Sequence, residues 1–127
     1  MENKAIPEPV DRSFGEVFED HLRLSESGDF ETDLRRNFSR DIVVLMENKV
    51  YRGHEDVRGL AKRLLRELPN GQYQNRMILL DEEIGMLEWT AQSAHAEVLD
   101  GVDSYLFRDG KIIAQTIHYT VTTIRNE

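Results

Sequence analysis

Asp103 sits in the stretch GVDSYLFRDGKI, Gly101 to Ile112, which alternates like a strand that turns and restarts. Val102, Ser104 and Leu106 point one way, while Asp103, Tyr105 and Phe107 point the other. The aromatic pair marks the second face as buried, and a carboxylate there is costly unless it is paired, protonated or used. His21 poses the same question, because it shares the apolar helical stripe of Phe14, Val17, Phe18 and Leu22. A histidine and an aspartate that meet in an apolar interior relieve each other's desolvation. Gln115 and Tyr119 share the more apolar face of the last strand with Ile113, Ile117 and Val121, which leaves His118 outward. Trp89 shares a face with Leu87 and Ala91 and suits the wall of either a core or a pocket.

Asp103 and His21 are therefore the candidate acid, base or oxyanion groups. The candidate ligand wall comprises Phe18, Met46, Tyr51, Trp89, Tyr105, Gln115 and Tyr119. A core histidine satisfied by hydrogen bonds remains the alternative for His21. Asp103 reads as a carboxyl group with no tight backbone cap, held for function at a cost in stability. On that reading Leu in its place leaves stability unchanged or raises it.

Other chemistries find no support. The chain lacks a glycine-rich phosphate loop, a Gly-x-Ser-x-Gly elbow and a His-Glu-x-x-His element. It contains no cysteine, which excludes disulfides, thiolate metal sites and a cysteine nucleophile and fits a reducing cytoplasm. The four histidines, His21, His54, His95 and His118, are scattered, so no metal site or cofactor is expected. The net charge of -8 argues against nucleic acid as a partner. Arg58, Lys62, Arg63 and Arg66 read as the solvated face of an amphipathic helix. No apolar run approaches the roughly 20 residues that span a bilayer. The opening MENKAIPEPVD is polar and lacks the apolar core of a secretory signal, so residues 1–12 read as an arm before one domain, 13–127.

Three helices precede a run of strands. Ser13 and Glu16 form a capping box, Gly28 ends the first helix, and Asp29 caps a second with Phe30, Leu34 and Phe38 on one face. Asp41 to Glu47 is β-branched and apolar, with a short return strand through Tyr51. Val57, Leu60, Ala61, Leu64, Leu65 and Leu68 make the stripe of a third helix, stopped by Pro69 and Gly71. Four strands follow: Tyr73–Leu80, Ile84–Ala94, Glu97–Phe107 and Lys111–Ile124. Helices first and antiparallel strands last predict an α+β fold with helices on one face of a sheet.

In order and spacing, ESGDFETDLRRNFSRDIVV, YRGHEDVRGLAKRL and GVDSYLFRDGKI resemble the SnoaL-like branch of the nuclear transport factor 2-like superfamily, over about residues 14 to 121. The resemblance implies a cone, a curved antiparallel sheet wrapped around the N-terminal helices with a pocket at the open end. Members include ketosteroid isomerases, polyketide cyclases, limonene epoxide hydrolases, dehydratases and non-catalytic binding domains, so fold does not stand for function. By this resemblance Asp103 falls at the isomerases' protonated aspartic acid and His21 at their oxyanion-hole tyrosine. Met46 falls at their general base, and it cannot take a proton. No Arg-x-Asp element of the epoxide hydrolases occurs. Two function classes stand. One is an isomerase-, cyclase- or dehydratase-like enzyme acting on a small hydrophobic carbonyl compound through Asp103 and His21. The other is a non-catalytic ligand-binding or dimerisation module. The outward Ala114, Thr116, His118 and Thr120 are short or mildly polar and suit a homodimer face.

Overall fold

Ser13 opens the first helix, α1 (Phe14–Ser27), by accepting from the Glu16 backbone at 3.1 Å while the Glu16 carboxylate accepts from its own N–H at 2.8 Å. The computed structural model describes residues 11–124, so most of the expected arm and residues 125–127 lie outside the described residues. Gly28, at φ +81°, closes α1, and Asp29 caps α2 (Phe30–Asn37) through the Thr32 N–H. Phe38, expected on the stripe of α2, is already extended and starts β1 (Phe38–Met46). Glu47 and Asn48, both at positive φ, turn the chain into β2 (Lys49–Arg52), and α3 (Gly53–Glu67) follows. The remaining strands are β3 (Gln72–Asp81), β4 (Ile84–Gln92), β5 (Ala96–Arg108), β6 (Lys111–His118) and β7 (Thr122–Thr123). The expected single last strand therefore breaks after His118, and its remainder pairs with the start of β5.

The strands form one curved sheet in the order β2-β1-β6-β5-β4-β3, with β7 on β5. It is mixed rather than wholly antiparallel, because β6 runs parallel to β1 with Val44 opposite Gln115. Hairpin signals in a sequence report only adjacent pairs. The sense of the β1–β6 pair is set instead by the α3 crossover and by the number of reversals in the meander that returns to β1. Register slips between Asn75 and Met77, Trp89 and Ala91, and Leu106 and Phe107 bend the strands. The last slip makes Ile113 the extra residue, so Ile112 rather than Ile113 is fully buried beside Phe107.

The core fills the narrow end of the cone, where Phe14 and Phe18 of α1 meet Phe107 of β5. At the wide end α3 keeps no fully buried residue despite its clean apolar stripe. Val57, Leu60 and Leu64 of that stripe pack on the edge of the core and also line a cavity. Gly101 of β5 decides how the cavity floor is built. It lies opposite Trp89, and a Cβ placed there would stand 2.3 Å from the indole. Only glycine lets this ring lie flat across the strand.

Gly101→Ala should therefore lower stability by about 1–3 kcal/mol, the usual cost of overpacking. It should also shift the emission of Trp89, the chain's single tryptophan. Urea denaturation followed by fluorescence checks both. An unchanged midpoint would show that the ring rests elsewhere.

Candidate functional site

Between α1, α2, α3 and the concave face of the sheet lies a cavity of about 240 Å³. Its outer half is aliphatic, with Leu60, Leu64 and Leu65 of α3 facing Ile117 of β6. Its inner end is polar, where His21, Asp33, Asp103, Tyr105 and Gln115 converge beside Trp89. A small, largely apolar cavity with a few convergent polar groups has the form of a small-molecule site.

The polar end is one hydrogen-bonded chain. Asp33 Oδ2 lies 2.7 Å from His21 Nδ1, and His21 Nε2 lies 3.1 Å from the Tyr105 hydroxyl. That hydroxyl donates onward to Asp103 Oδ2 at 3.3 Å. Asp103 also accepts from Trp89 Nε1 on Oδ1 at 3.1 Å and from Gln115 Nε2 on Oδ2 at 3.2 Å. Behind Asp33, the Asn37 side-chain amide donates to both Asp33 at 2.8 Å and Asp20 at 2.9 Å. Asp20 is held by Arg23 at 2.6 Å and Arg36 at 3.1 Å, with Arg12 at 3.5 Å. Each member has a local cause. His21 is on the buried stripe of α1, and Asp33 and Asn37 are four residues apart on the inward side of α2. Asp103 and Tyr105 alternate on the concave side of β5.

Burial pushes the Asp103 carboxyl up to about 6, against the pull of the Trp89 hydrogen bond, the nearby His21, and the Tyr105 and Gln115 hydrogen bonds. Asp103 lines the cavity, half-buried, with its carboxyl held by these three donors. Desolvation works against a charged His21, but the charge and hydrogen bond of Asp33, helped by Asp103 and Asp20, outweigh it and raise its pKa. Burial raises the Tyr105 phenol as well, reinforced by the Asp103 charge. Near neutral pH Asp103 is therefore largely ionised, the surroundings of His21 favour its protonated form, and Tyr105 stays a neutral phenol between them. A carboxyl group pushed toward neutrality, two hydrogen bonds from an imidazole whose cation is favoured, can accept and return a proton. Among the described residues, no group of three His, Cys, Asp or Glu side chains is placed to hold a metal ion.

The profile of the SnoaL-like domain matches residues 18–115. The chain belongs to the SnoaL-like family. Similar solved structures include an NTF-2 like protein from Burkholderia xenovorans LB400, 16% identical with a TM-score of 0.70, covering 89% of this chain and 84% of that one. IdmH from Streptomyces antibioticus, which carries the description "putative polyketide cyclase", is 16% identical with a TM-score of 0.68, over 83% and 90% of the two chains. TerC, crystallised with polyporic acid, is 14% identical with a TM-score of 0.68, over 88% and 92%. At these identities the likeness is one of fold. No curated protein matches the chain in sequence.

In this SnoaL-like chain, seven of the nine residues singled out from sequence line the cavity: His21, Met46, Trp89, Asp103, Tyr105, Gln115 and Tyr119. Phe18 and Tyr51 do not. Phe18 lies behind the wall, its ring 5.0 Å from that of Tyr105 and 5.4 Å from that of Phe107. Tyr51 is on β2, outside the cavity, half-buried against the edge of the core. His21 and Asp103 do not bond directly, because the Tyr105 hydroxyl stands between them. Nor is Asp103 short of partners within the protein, since three side-chain donors reach it. Sequence reasoning missed Asp33, the direct partner of His21. The signal was present, since Asp33 and Asn37 each follow an apolar-stripe residue, Phe30 and Leu34, by three positions. It also missed Tyr73, whose ring lies 5.8 Å from that of Trp89, and gave the α3 stripe no part in the cavity wall.

These contacts reverse the expected effect of Asp103→Leu. The change leaves donors of Trp89, Tyr105 and Gln115 without an acceptor, so it should cost about 1–3 kcal/mol. Chemical denaturation measures this. Equal or greater stability of the variant would mean that burial of the carboxylate outweighs its hydrogen bonds.

Proposed function

We propose that this chain is a proton-transfer enzyme acting on a small, flat, hydrophobic carbonyl compound, with Asp103 as general base. The observation that carries this reading is a carboxylate at the polar end of a largely apolar cavity, ringed by neutral donors, where burial pushes its pKa up to about 6. A cavity of about 240 Å³ suits a ligand of one or two rings, below the usual range of roughly 300–1,000 Å³ for ligand sites. Asp103 takes the hydrogen from the carbon next to the carbonyl group. Charge then grows on the carbonyl oxygen. Gln115 spends one amide hydrogen on Asp103, which leaves the second for that oxygen. His21, whose protonated form Asp33 favours, lowers the cost of the developing negative charge. IdmH, with its polyketide cyclase description, and TerC, crystallised with polyporic acid, share this fold and support an oxygenated cyclic ligand.

Exchange of α-hydrogens of 2-tetralone for deuterium, followed by proton NMR, tests this without knowledge of the natural substrate. The rate should rise with pH through an inflection near 6, because the base works only when ionised. Asp103→Asn should reduce it by about 100-fold or more. A second reading, binding without turnover, is favoured by the three donors that already occupy Asp103. Quenching of Trp89 by the ketone with no exchange above buffer would decide for it.

The convex face of the sheet supports a homodimer. Leu45 at 48% exposure, Val50 at 55%, Leu79 at 56% and Ile84 at 60% spread across it, on four different strands. Ala114, Thr116 and Ser104 lie between them, with the last two joined through their hydroxyls. Such an apolar surface suits a two-fold copy of itself. Sedimentation at micromolar concentration should give twice the monomer mass, and Ile84→Glu should halve it. A monomeric wild type would reject the pairing.

A further inference from the structure

We propose that Asp103 and His21 share one mobile proton through the Tyr105 hydroxyl, so that Asp103 alternates between base and acid without exchange with solvent. The inference rests on Asp103 handling the substrate's proton, and it concerns how that residue is recharged. The geometry is a continuous line, His21 Nε2 to Tyr105 Oη at 3.1 Å and Tyr105 Oη to Asp103 Oδ2 at 3.3 Å.

In the first state His21 is an imidazolium. Its Nδ1–H donates to Asp33, its Nε2–H donates to Tyr105 Oη, and the Tyr105 hydroxyl donates to ionised Asp103. In the second state the Nε2–H bond breaks and its proton bonds to Tyr105 Oη, while the original tyrosine proton passes to Asp103 Oδ2. Two protons each move along one hydrogen bond. The result is a neutral imidazole and a neutral carboxylic acid, and tyrosine stays a phenol in both states. Atoms and charge balance within the protein. Asp103 accepts a proton in the first state and donates one in the second.

The two states are brought close in energy by opposing surroundings. Asp33 on α2 and Asp20 on α1 favour the imidazolium, although Asp20 is partly neutralised by Arg12, Arg23 and Arg36. On β5, Asp103 is itself drawn toward the neutral form by burial and toward the charged form by Trp89, Tyr105 and Gln115. Phe38 of β1 meets the His21 ring edge-on at 5.4 Å and brings no charge. Asp33 is thus a positioning residue. It fixes Nδ1 as a donor, which turns Nε2 toward Tyr105 and sets the direction of the relay.

The test is NMR of nitrogen-15 histidine-labelled protein titrated from acid to alkaline pH, with His21 assigned by the loss of its signals in His21→Gln. In wild type, His21 Nε2 should report a step near pH 6 in addition to its own titration, because the two groups titrate as a coupled pair. Tyr105→Phe keeps the ring and removes the bridge. It should shrink that step by about five-fold, leaving only the field of Asp103 across the gap. Trp89 fluorescence should still report Asp103 titrating in this variant. Asp103→Asn, similar in size, should abolish the step, and Asp33→Asn should lower the His21 pKa. A Tyr105→Phe profile superimposable on wild type, or a wild-type His21 with no step near pH 6, would overturn the proposal. The readout needs no substrate, so a failed relay and a failed exchange assay are separate results.

Discussion

The 2.7 Å contact between His21 Nδ1 and Asp33 Oδ2 joins α1 to α2 on their buried faces. It is buried, and its members are not self-sufficient. Asp33 needs Asn37, Asn37 needs Asp20, and Asp20 needs the arginines at the surface. In the other direction His21 needs Tyr105, and Tyr105 bridges to Asp103. A polar chain of this length inside an apolar domain is tolerated only because nearly every donor meets an acceptor. Loss of one member strands its neighbours. The network therefore both orients the helices and fixes the charge state of the site.

The sheet contributes shape and the helices contribute charge. Bulges curve the strands enough to leave space beneath α3, and Gly101 lets the Trp89 ring lie flat to form the floor. The same placement brings Trp89 Nε1 to Asp103, so one glycine governs both the space and a hydrogen bond to the carboxylate. At the outer end, Tyr119 donates to Glu67 at 2.5 Å, and Arg63 holds Glu67 and Glu47. These contacts tie the C-terminal part of α3 to the residue just after β6 and to the β1–β2 turn. The helix is thereby held over the cavity without any side chain of its own being fully buried.

Asp103 illustrates how one residue can serve stability and reactivity together. Its three hydrogen bonds favour the carboxylate, and its burial disfavours it, with a balance close to neutrality. An unpaired carboxyl at this depth would stay protonated, and one in water would be a weak base. The site lies between these limits because the donors around it are neutral and only the more distant His21 carries charge.

Much of the fold was legible in the sequence because it depends on local patterns. The capping box at Ser13, the stop at Gly28, the cap at Asp29 and the hairpin at Asp109 and Gly110 each act within a few residues. The alternation that put Asp103 and Tyr105 on the concave face is local too, as is the stripe carrying His21. Together with the ordered motifs these were enough for the family and the cone. The parallel β1–β6 pair and the bulge at Ile113 depend on how distant segments meet, and only the assembled sheet settled them. The same holds for Asp33 beside His21, for Tyr105 standing between His21 and Asp103, and for Phe18 lying behind the wall. Whether the α3 stripe faces packed atoms or empty space looks identical along the chain. Hydrophobic periodicity shows which face turns inward, and the curvature of the sheet decides what that face meets.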